Sequence, residues 1–155
     1  MTKLAMPKID RKLISKKLEV VASLKKIIKA ENILDHEDQI RPFETDALSA
    51  YKQKPLVVVF PENTNEVSKV LAYCNRERIK VVPRGSGTGL SGGALPLEDS
   101  LLLCLGKFNK IIDVDYKNRC VVTQPGVTNL SITKAVEDNG FYYAPDPSSQ
   151  IACSI

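Results

Sequence analysis

Apolar positions near the start of the chain recur at steps of three and four residues, the spacing of one face of an α-helix. They are Ile14, Leu18, Val21, Leu24 and Ile28. Asp10 precedes this stripe and has the side chain of an N-cap residue. The pattern predicts an amphipathic helix over residues 10–30 whose apolar face docks on the body of the protein.

Residues 31–54 are polar and show no sustained period, so we expect an irregular connector. The proline of Arg41-Pro42 favours an extended backbone at the residue before it. The chain has one histidine, His36, which lies in this connector and is expected at the surface.

The connector is followed by a pattern typical of alternating strands and helices. Leu56–Phe60 is a continuous apolar run, as in a strand buried on both faces. Asn63 or Thr64 can cap the next helix, which has Glu66 in its first turn. A second buried strand is predicted at Ile79–Val82, and strand, helix and strand over this length indicate a right-handed βαβ unit.

Three further strands and one helix are predicted beyond this unit. The strands are Leu101–Leu105, Ile111–Val114 and Cys120–Thr123. The helix covers residues 128–139 and is stopped by Asn139-Gly140. We therefore expect an α+β fold, in which the βαβ unit is followed by a small mixed sheet with the last helix packed on it.

Charge is distributed unevenly along the chain, whose net charge is +4. Residues 1–30 contain nine basic and two acidic residues, a net charge of +7, which leaves −3 for the remainder. Interspersed charges of this kind are typical of a solvated helix face. A basic segment can also bind an anionic surface. Peripheral association with the inner membrane is therefore the alternative, and no nucleic-acid partner is expected.

The cysteines and the apolar runs indicate a cytoplasmic protein. Four cysteines, which include no CxxC pair, lie far apart, so we expect no metal site and four reduced thiols. No apolar signal segment follows Met1, and no apolar run reaches the ~18 residues that a membrane span needs.

Residues 85–93 contain five glycines directly after a predicted strand. Glycine permits positive φ angles and close approach of a ligand to the backbone. Successive amides in such a loop converge on an anion, and Ser86, Thr88 and Ser91 add hydroxyl groups. The loop therefore fits a pyrophosphate, with a flexible surface turn as the alternative.

Within this loop, Gly87–Gly92 matches the GxGxxG dinucleotide pattern, but its context does not fit. That motif opens a helix, whereas Pro96 obstructs a helix that would run on from Gly93. The chain has no GK[ST] sequence, which excludes a P-loop. We therefore expect nucleotide binding through backbone amides and hydroxyls, without a helix N-terminus.

Three stretches in this order resemble the FAD-binding domain of vanillyl-alcohol-oxidase-type (PCMH-type) flavoproteins. They are Pro83–Gly93, Gln124–Val127 and Ala144–Ser149. The sequence is most similar to FAD-linked subunits of the glycolate oxidase and D-lactate dehydrogenase type. That resemblance covers about residues 41–155 and, more weakly, the basic helix.

The resemblance implies a role toward FAD for three groups of residues. The pyrophosphate would be wrapped by Arg84, Gly85, Ser86, Gly87, Thr88, Gly89, Gly92 and Gly93. The cofactor would be approached from a strand end by Pro125 and Gly126, and its flavin side lined by Pro147, Ser148 and Ser149.

Ordinary structural roles are the alternatives for these residues. Arg84 can pair with a surface carboxylate, Pro125-Gly126 can be a strand-to-helix turn, and Asp146-Pro147 can start a turn. Thr88 stands where some members of the superfamily tether FAD through a histidine, so the flavin is expected to be non-covalent.

The activity implied by the resemblance is that of an FAD-dependent 2-hydroxy-acid dehydrogenase or oxidase. Glycolate or D-lactate would become the 2-oxo acid, and electrons would pass to an iron–sulfur partner subunit. Residues 1–54 would be the helix and connector, and residues 55–155 the N-terminal portion of the FAD-binding domain. The substrate (cap) domain would be absent, so no catalytic residue is assigned and residues 1–155 alone are expected to be inactive. The alternative is a non-enzymatic nucleotide-binding or interaction module.

Overall fold

A four-stranded sheet lies at the centre of the computed structural model, which describes residues 7–155. Its strands are β1 (Ile33–Leu34), β2 (Val57–Val59), β3 (Lys80–Arg84) and β4 (Ser100–Cys104), in the order β1-β2-β4-β3. Strand β4 pairs in parallel with both β2 and β3, and β1 pairs antiparallel with β2. A separate antiparallel pair is formed by β5 (Ile111–Asp115) and β6 (Cys120–Thr123).

The predicted α+β class is confirmed, but the strands are grouped differently from the prediction. The stretch expected to begin a second sheet, Leu101–Leu105, instead supplies β4, between the two strands of the βαβ unit. Strand β4 is buried throughout, which suits its central position. The sequence predicts a buried strand at Ile79–Val82, yet β3 is half-buried because it pairs on one side only.

Residues 7–155 contain five α-helices: α1 (Arg11–Ser15), α2 (Lys17–Leu24), α3 (Glu37–Ile40), α4 (Thr64–Glu77) and α5 (Asn129–Val136). Asn63 caps α4 by accepting a hydrogen bond from the Glu66 amide, as predicted. Three residues of 3-10 helix extend α5 to Asn139, and Gly140, with φ of 75°, ends it at the predicted position. Helix α5 and the β5–β6 pair line a small cavity of about 190 Å³.

The N-terminal helix differs from its prediction in length and in its buried face. It is interrupted at Lys16 and ends at Leu24, although Asp10 caps it as expected. Leu18 is 82% exposed, and Val20 is buried instead. Successive helical residues point about 100° apart, so the stripe through Val20, Leu24 and their neighbours leaves Leu18 on the solvent side.

The connector contains more regular structure than its polar sequence indicates. It supplies β1, α3 and two 3-10 turns, Ala30–Asn32 and Arg41–Phe43. The extended step predicted at Arg41-Pro42 is wrong, because Arg41 is α-helical with φ of −55° and ψ of −41°. Pro42 lies in the first turn of a 3-10 helix, where its missing amide costs no hydrogen bond. The His36 side chain is 82% exposed, as expected.

Apolar side chains cover both faces of the central sheet. Helices α1, α2 and α4 cover one face, where Leu24 and Val70 pack with Val57 and Leu101. The connector covers the other face, where Ile40 packs with Val58 and Leu102 and the partly buried Phe43 packs against this cluster. The connector therefore belongs to the body of the domain.

The four cysteines are free thiols in two different environments. Cys74 and Cys104 lie in the core, and burial raises the pKa of these thiols to about 11 and about 12, respectively. Cys120 is exposed and Cys153 is partly exposed. The two core thiols are therefore expected to remain protonated and unreactive in the folded protein.

Glu62 forms a polar joint between the N-terminal segment and the carboxyl ends of β2 and β4. Its carboxylate accepts hydrogen bonds from Lys29 Nζ at 2.8 Å, Asn32 Nδ2 at 3.0 Å and Lys107 Nζ at 3.1 Å. These bonds, that from Lys29 first, lower the pKa of Glu62 to about 2.

Replacing Glu62 with glutamine is expected to reduce the loss of stability in acid. The unfolded chain takes up a proton near the ordinary glutamate pKa of 4.5, whereas the folded chain does so only near a pKa of about 2. The stabilisation from Glu62 is therefore full above about pH 4.5 and is lost as the pH falls toward 2. Urea unfolding of both proteins between pH 6 and about pH 2 should show their difference in unfolding free energy shrinking in acid. A difference that is constant or grows over this range would show that the joint does not stabilise the fold.

Candidate functional site

The glycine-rich loop begins at the carboxyl end of β3. Its first residue follows Arg84, which is in register with Cys104 at the end of β4. The amide of Leu105 donates to Arg84 O at 2.9 Å, so the chains leaving β3 and β4 start side by side. Because β2, β3 and β4 are parallel, their carboxyl ends share this edge, where open α/β sheets bind ligands.

An open groove of about 530 Å³ follows the glycine-rich loop. It is lined by most of the predicted site residues: Arg84, Gly85, Ser86, Gly87, Thr88, Gly89, Gly93, Pro125, Pro147 and Ser149. A second cavity of about 420 Å³ borders the same loop at Gly87 and Thr88 and contains Ser148. Gly92 and Gly126 line neither cavity. The structure thus brings together three stretches that are far apart in the sequence.

The loop presents a row of unpaired backbone amides. Gly87 and Gly92 both have φ of 73°, and the loop contains no helix, as the sequence predicted. Within the described part of the chain, the amides of residues 87–93 donate to no acceptor. Such groups bind water or an anionic ligand, and turns with positive φ angles let several of them point at one anion.

Ser154 is a groove residue that the sequence analysis missed. Its hydroxyl oxygen accepts a hydrogen bond from the Ser86 amide at 3.1 Å, so an oxygen acceptor fits against the loop. It lies so close to Gly85 that a Cβ there would be 2.0 Å from Ser154 Oγ. An isolated bridge to Thr128 holds the residue in place, and no periodic signal in the sequence marks such a bridge.

Gly126 faces the protein's own backbone. A Cβ at this position would lie 2.4 Å from Leu105 O and 2.8 Å from Phe108 O. Its amide donates to Phe108 O at 2.7 Å. Packing thus explains the glycine, while Pro125 beside it lines the groove. The contact of Gly126 with a cofactor stays a prediction.

The guanidinium of Arg84 lies against the loop and donates to a backbone carbonyl. Its Nη1 donates to Thr45 O at 2.7 Å, and its Cζ lies 5.7 Å from the centre of the Phe43 ring. A Cβ on Gly87 would lie 2.4 Å from Arg84 Nη2, so the two residues are in close contact. A carbonyl does not neutralise the guanidinium charge, which therefore adds to the attraction of the amides for an anion.

Comparison with known proteins assigns the chain to a family. A family described as an FAD binding domain matches residues 55–155. The chain belongs to this family. The predicted resemblance is thereby confirmed, and FAD is the cofactor that the family indicates.

Individual relatives match nearly the whole chain. The glycolate oxidase subunit GlcD of Escherichia coli (strain K12) is 48% identical over 151 residues, which are 97% of this chain and 29% of that protein. The D-lactate dehydrogenase of Anaerostipes hadrus is 33% identical over 135 residues, 86% of this chain and 28% of that protein. The chain thus spans less than a third of the length of these relatives.

A solved structure shows the same fold. An alkyldihydroxyacetonephosphate synthase superposes with a TM-score of 0.75 at 20% sequence identity, over 97% of this chain and 29% of that one. Over residues 7–155, no helix is long and apolar enough to cross a membrane, and no group of three or more potential ligand side chains is placed to hold a metal ion.

Proposed function

We propose that the chain is the N-terminal portion of the FAD-binding domain of a flavin-dependent 2-hydroxy-acid oxidoreductase. The observation that carries the proposal is the row of unpaired amides in residues 87–93 at the carboxyl edge of the sheet. The family match over residues 55–155 supports FAD as the ligand. The FAD-binding domain then begins at about residue 55, and residues 7–54 pack on it.

Different residues around the groove would bind different parts of FAD. The unpaired amides of residues 87–93, the hydroxyls of Ser86 and Thr88, and the charge of Arg84 would hold the pyrophosphate. Pro125 and Pro147–Ser149 would line the flavin side. Ser154 would join the site, because its hydroxyl oxygen accepts a hydrogen bond from the Ser86 amide of the same loop.

In the whole protein, bound FAD would supply the hydride acceptor for oxidation of the hydroxy acid at its α-carbon, the hydroxyl proton would pass to a base, and the product would be the 2-oxo acid. We assign no base among residues 7–155. Their part is to bind and orient the cofactor. We propose glycolate or D-lactate as the substrate, in line with the names of the relatives.

We further propose that the protein works as a subunit. The E. coli relative is described as a subunit of glycolate oxidase, and the family resemblance implies an iron–sulfur partner that receives the electrons. We place the protein in the cytoplasm. The exposed basic side chains in and beside α1 and α2 would face an anionic surface, such as that of the inner membrane; they are Arg11, Lys12, Lys16, Lys25 and Lys26.

The flavin is expected to be released when the full-length protein is precipitated with acid. Thr88 has no ring nitrogen with which to form a covalent bond to the flavin. The measurement is the flavin absorbance of the supernatant and of the washed precipitate. Flavin that stays with the precipitate would contradict the assignment of Thr88.

The proposed activity is tested on the same preparation. Glycolate or D-lactate should reduce an artificial electron acceptor in the presence of the purified protein, and protein stripped of flavin should be inactive until FAD is added back. A flavin-loaded protein that oxidises no 2-hydroxy acid would contradict the proposed activity.

A further inference from the structure

A short part of the connector is bonded to the glycine-rich loop. We call residues 45–47 the connector clamp. The amide of Ala47 donates to Gly87 O at 3.0 Å. The carbonyl of Thr45 accepts the 2.7 Å hydrogen bond from Arg84 Nη1. The clamp thus holds both the middle of the loop and the arginine that precedes it.

The middle residue of the clamp, Asp46, is only 5% exposed and reaches the far end of the loop. Its Oδ1 accepts from the Leu48 amide at 2.9 Å, which closes a local turn. Its Oδ2 accepts from the Ala94 amide at 3.4 Å, directly after the last glycine. Both oxygens therefore face backbone amides.

The loop needs such support because it has little packing of its own. Gly87 and Thr88 border open space in both the groove and the second cavity. Glycines have no side chains to pack and lose the most conformational freedom when they are ordered. A loop held in place beforehand binds its ligand more tightly, because it is not ordered at the moment of binding.

We propose that Asp46 is a positioning residue for the cofactor. It acts through the loop: its carboxylate fixes Ala94, and the turn that it closes presents Thr45 and Ala47 to Arg84 and Gly87. This inference rests on the proposed function, in which the loop holds the FAD pyrophosphate. It assigns a cofactor-binding role to a connector that precedes the family match at residue 55.

Asp46→Asn is expected to keep the hydrogen bond from the Leu48 amide and to remove the one from the Ala94 amide. An asparagine oxygen can still accept from the Leu48 amide, but its NH₂ group then faces the Ala94 amide, and two donors cannot pair. The local turn stays and the end of the loop is released. The matched control is Asp99→Asn. Asp99 is also a buried aspartate that accepts a backbone amide, from Asp10 at 2.7 Å, but it lies at the other edge of the sheet.

The experiment titrates the flavin-free full-length protein and both variants with FAD and, separately, with riboflavin, which has no phosphate. Melting temperatures are measured without ligand. Asp46→Asn is expected to raise the Kd for FAD about tenfold and to leave the Kd for riboflavin unchanged. Asp99→Asn is expected to lower the melting temperature without changing the ratio of the two Kd values.

The outcomes separate the inference from the proposed function. If the wild type binds FAD no more tightly than riboflavin, the pyrophosphate site itself is wrong. The positioning role is overturned if the wild type prefers FAD and Asp46→Asn keeps the same ratio of the two Kd values. That outcome includes a variant that binds FAD and riboflavin more weakly by the same factor. Should the variant not fold, hydrogen exchange of the wild type decides. The Ala47 and Ala94 amides should become more protected when FAD binds, and unchanged protection would refute the role.

Discussion

Replacing Gly87 with valine is expected to weaken FAD binding about a hundredfold in the full-length protein. Gly87 has φ of 73°, where a β-branched residue is strained, and its Cβ would lie 2.4–2.6 Å from the Arg84 guanidinium. Each such strain costs about 1–3 kcal/mol, and each 1.4 kcal/mol lost from binding is a factor of about ten in Kd. The strain can relax only if the loop amides and Arg84 move, and these groups are the ones proposed to hold the pyrophosphate.

Gly140 provides a matched control for this variant. It has φ of 75°, and a Cβ there would meet nothing within 4 Å. It ends the turn after α5 and lines neither cavity at the loop. Gly140→Val should therefore lower the melting temperature and leave the Kd for FAD unchanged. Wild-type affinity in Gly87→Val, or an equal loss of affinity in Gly140→Val, would contradict the assigned role of the loop.

Residues 1–155 by themselves are expected to bind FAD at least a hundredfold more weakly than the full-length protein and to oxidise no hydroxy acid. The groove is open, and Ile155, which lines it, is 50% exposed. Ile151, four residues earlier, is 78% exposed. Each Å² of flavin surface left in water forgoes roughly 25 cal/mol of binding free energy. About 100 Å² left uncovered therefore raises the Kd nearly a hundredfold.

The measurement is a titration of the 155-residue polypeptide with FAD, followed by the flavin fluorescence. A second assay tests for dye reduction with glycolate and with D-lactate. The reference is full-length protein. Its relatives indicate that it is more than three times as long as residues 1–155, which match 29% of the E. coli protein. Micromolar binding together with substrate-dependent dye reduction by residues 1–155 would show that the site needs less of the chain than we propose.

The elements with a strong apolar period, or with clear capping residues, were predictable from the sequence. Val57–Val59 has only apolar neighbours, Asn63 caps α4, and Gly140 ends the last helix where expected. Elements that depend on a distant partner were not predictable. Strand β1 has two residues, too few for a period, and exists because it pairs with β2. Strand β4 is central for a similar reason, since pairing order is not encoded in its own residues.

The candidate site also has a part that was predictable from the sequence and a part that was not. The glycine content and Pro96 identified a non-helical loop from local sequence alone, and the structure has this loop at a groove. Ser154 and the connector clamp reach the loop from 68 and 48 residues away, through a serine hydroxyl and a buried aspartate that have no motif around them. The sequence offered no signal for either, because single polar contacts over such distances leave no pattern.

The central claim is that the unpaired amides of residues 87–93 bind a pyrophosphate. The most direct test is a titration of the ¹⁵N-labelled 155-residue chain with ADP, which carries the pyrophosphate without the flavin, followed by amide chemical shifts. The account predicts saturable shift changes at the amides of residues 87–93, with Gly106 and Gly140 unchanged. Loop amides that do not respond to millimolar ADP, or changes confined to the basic segment of residues 8–29, would contradict it.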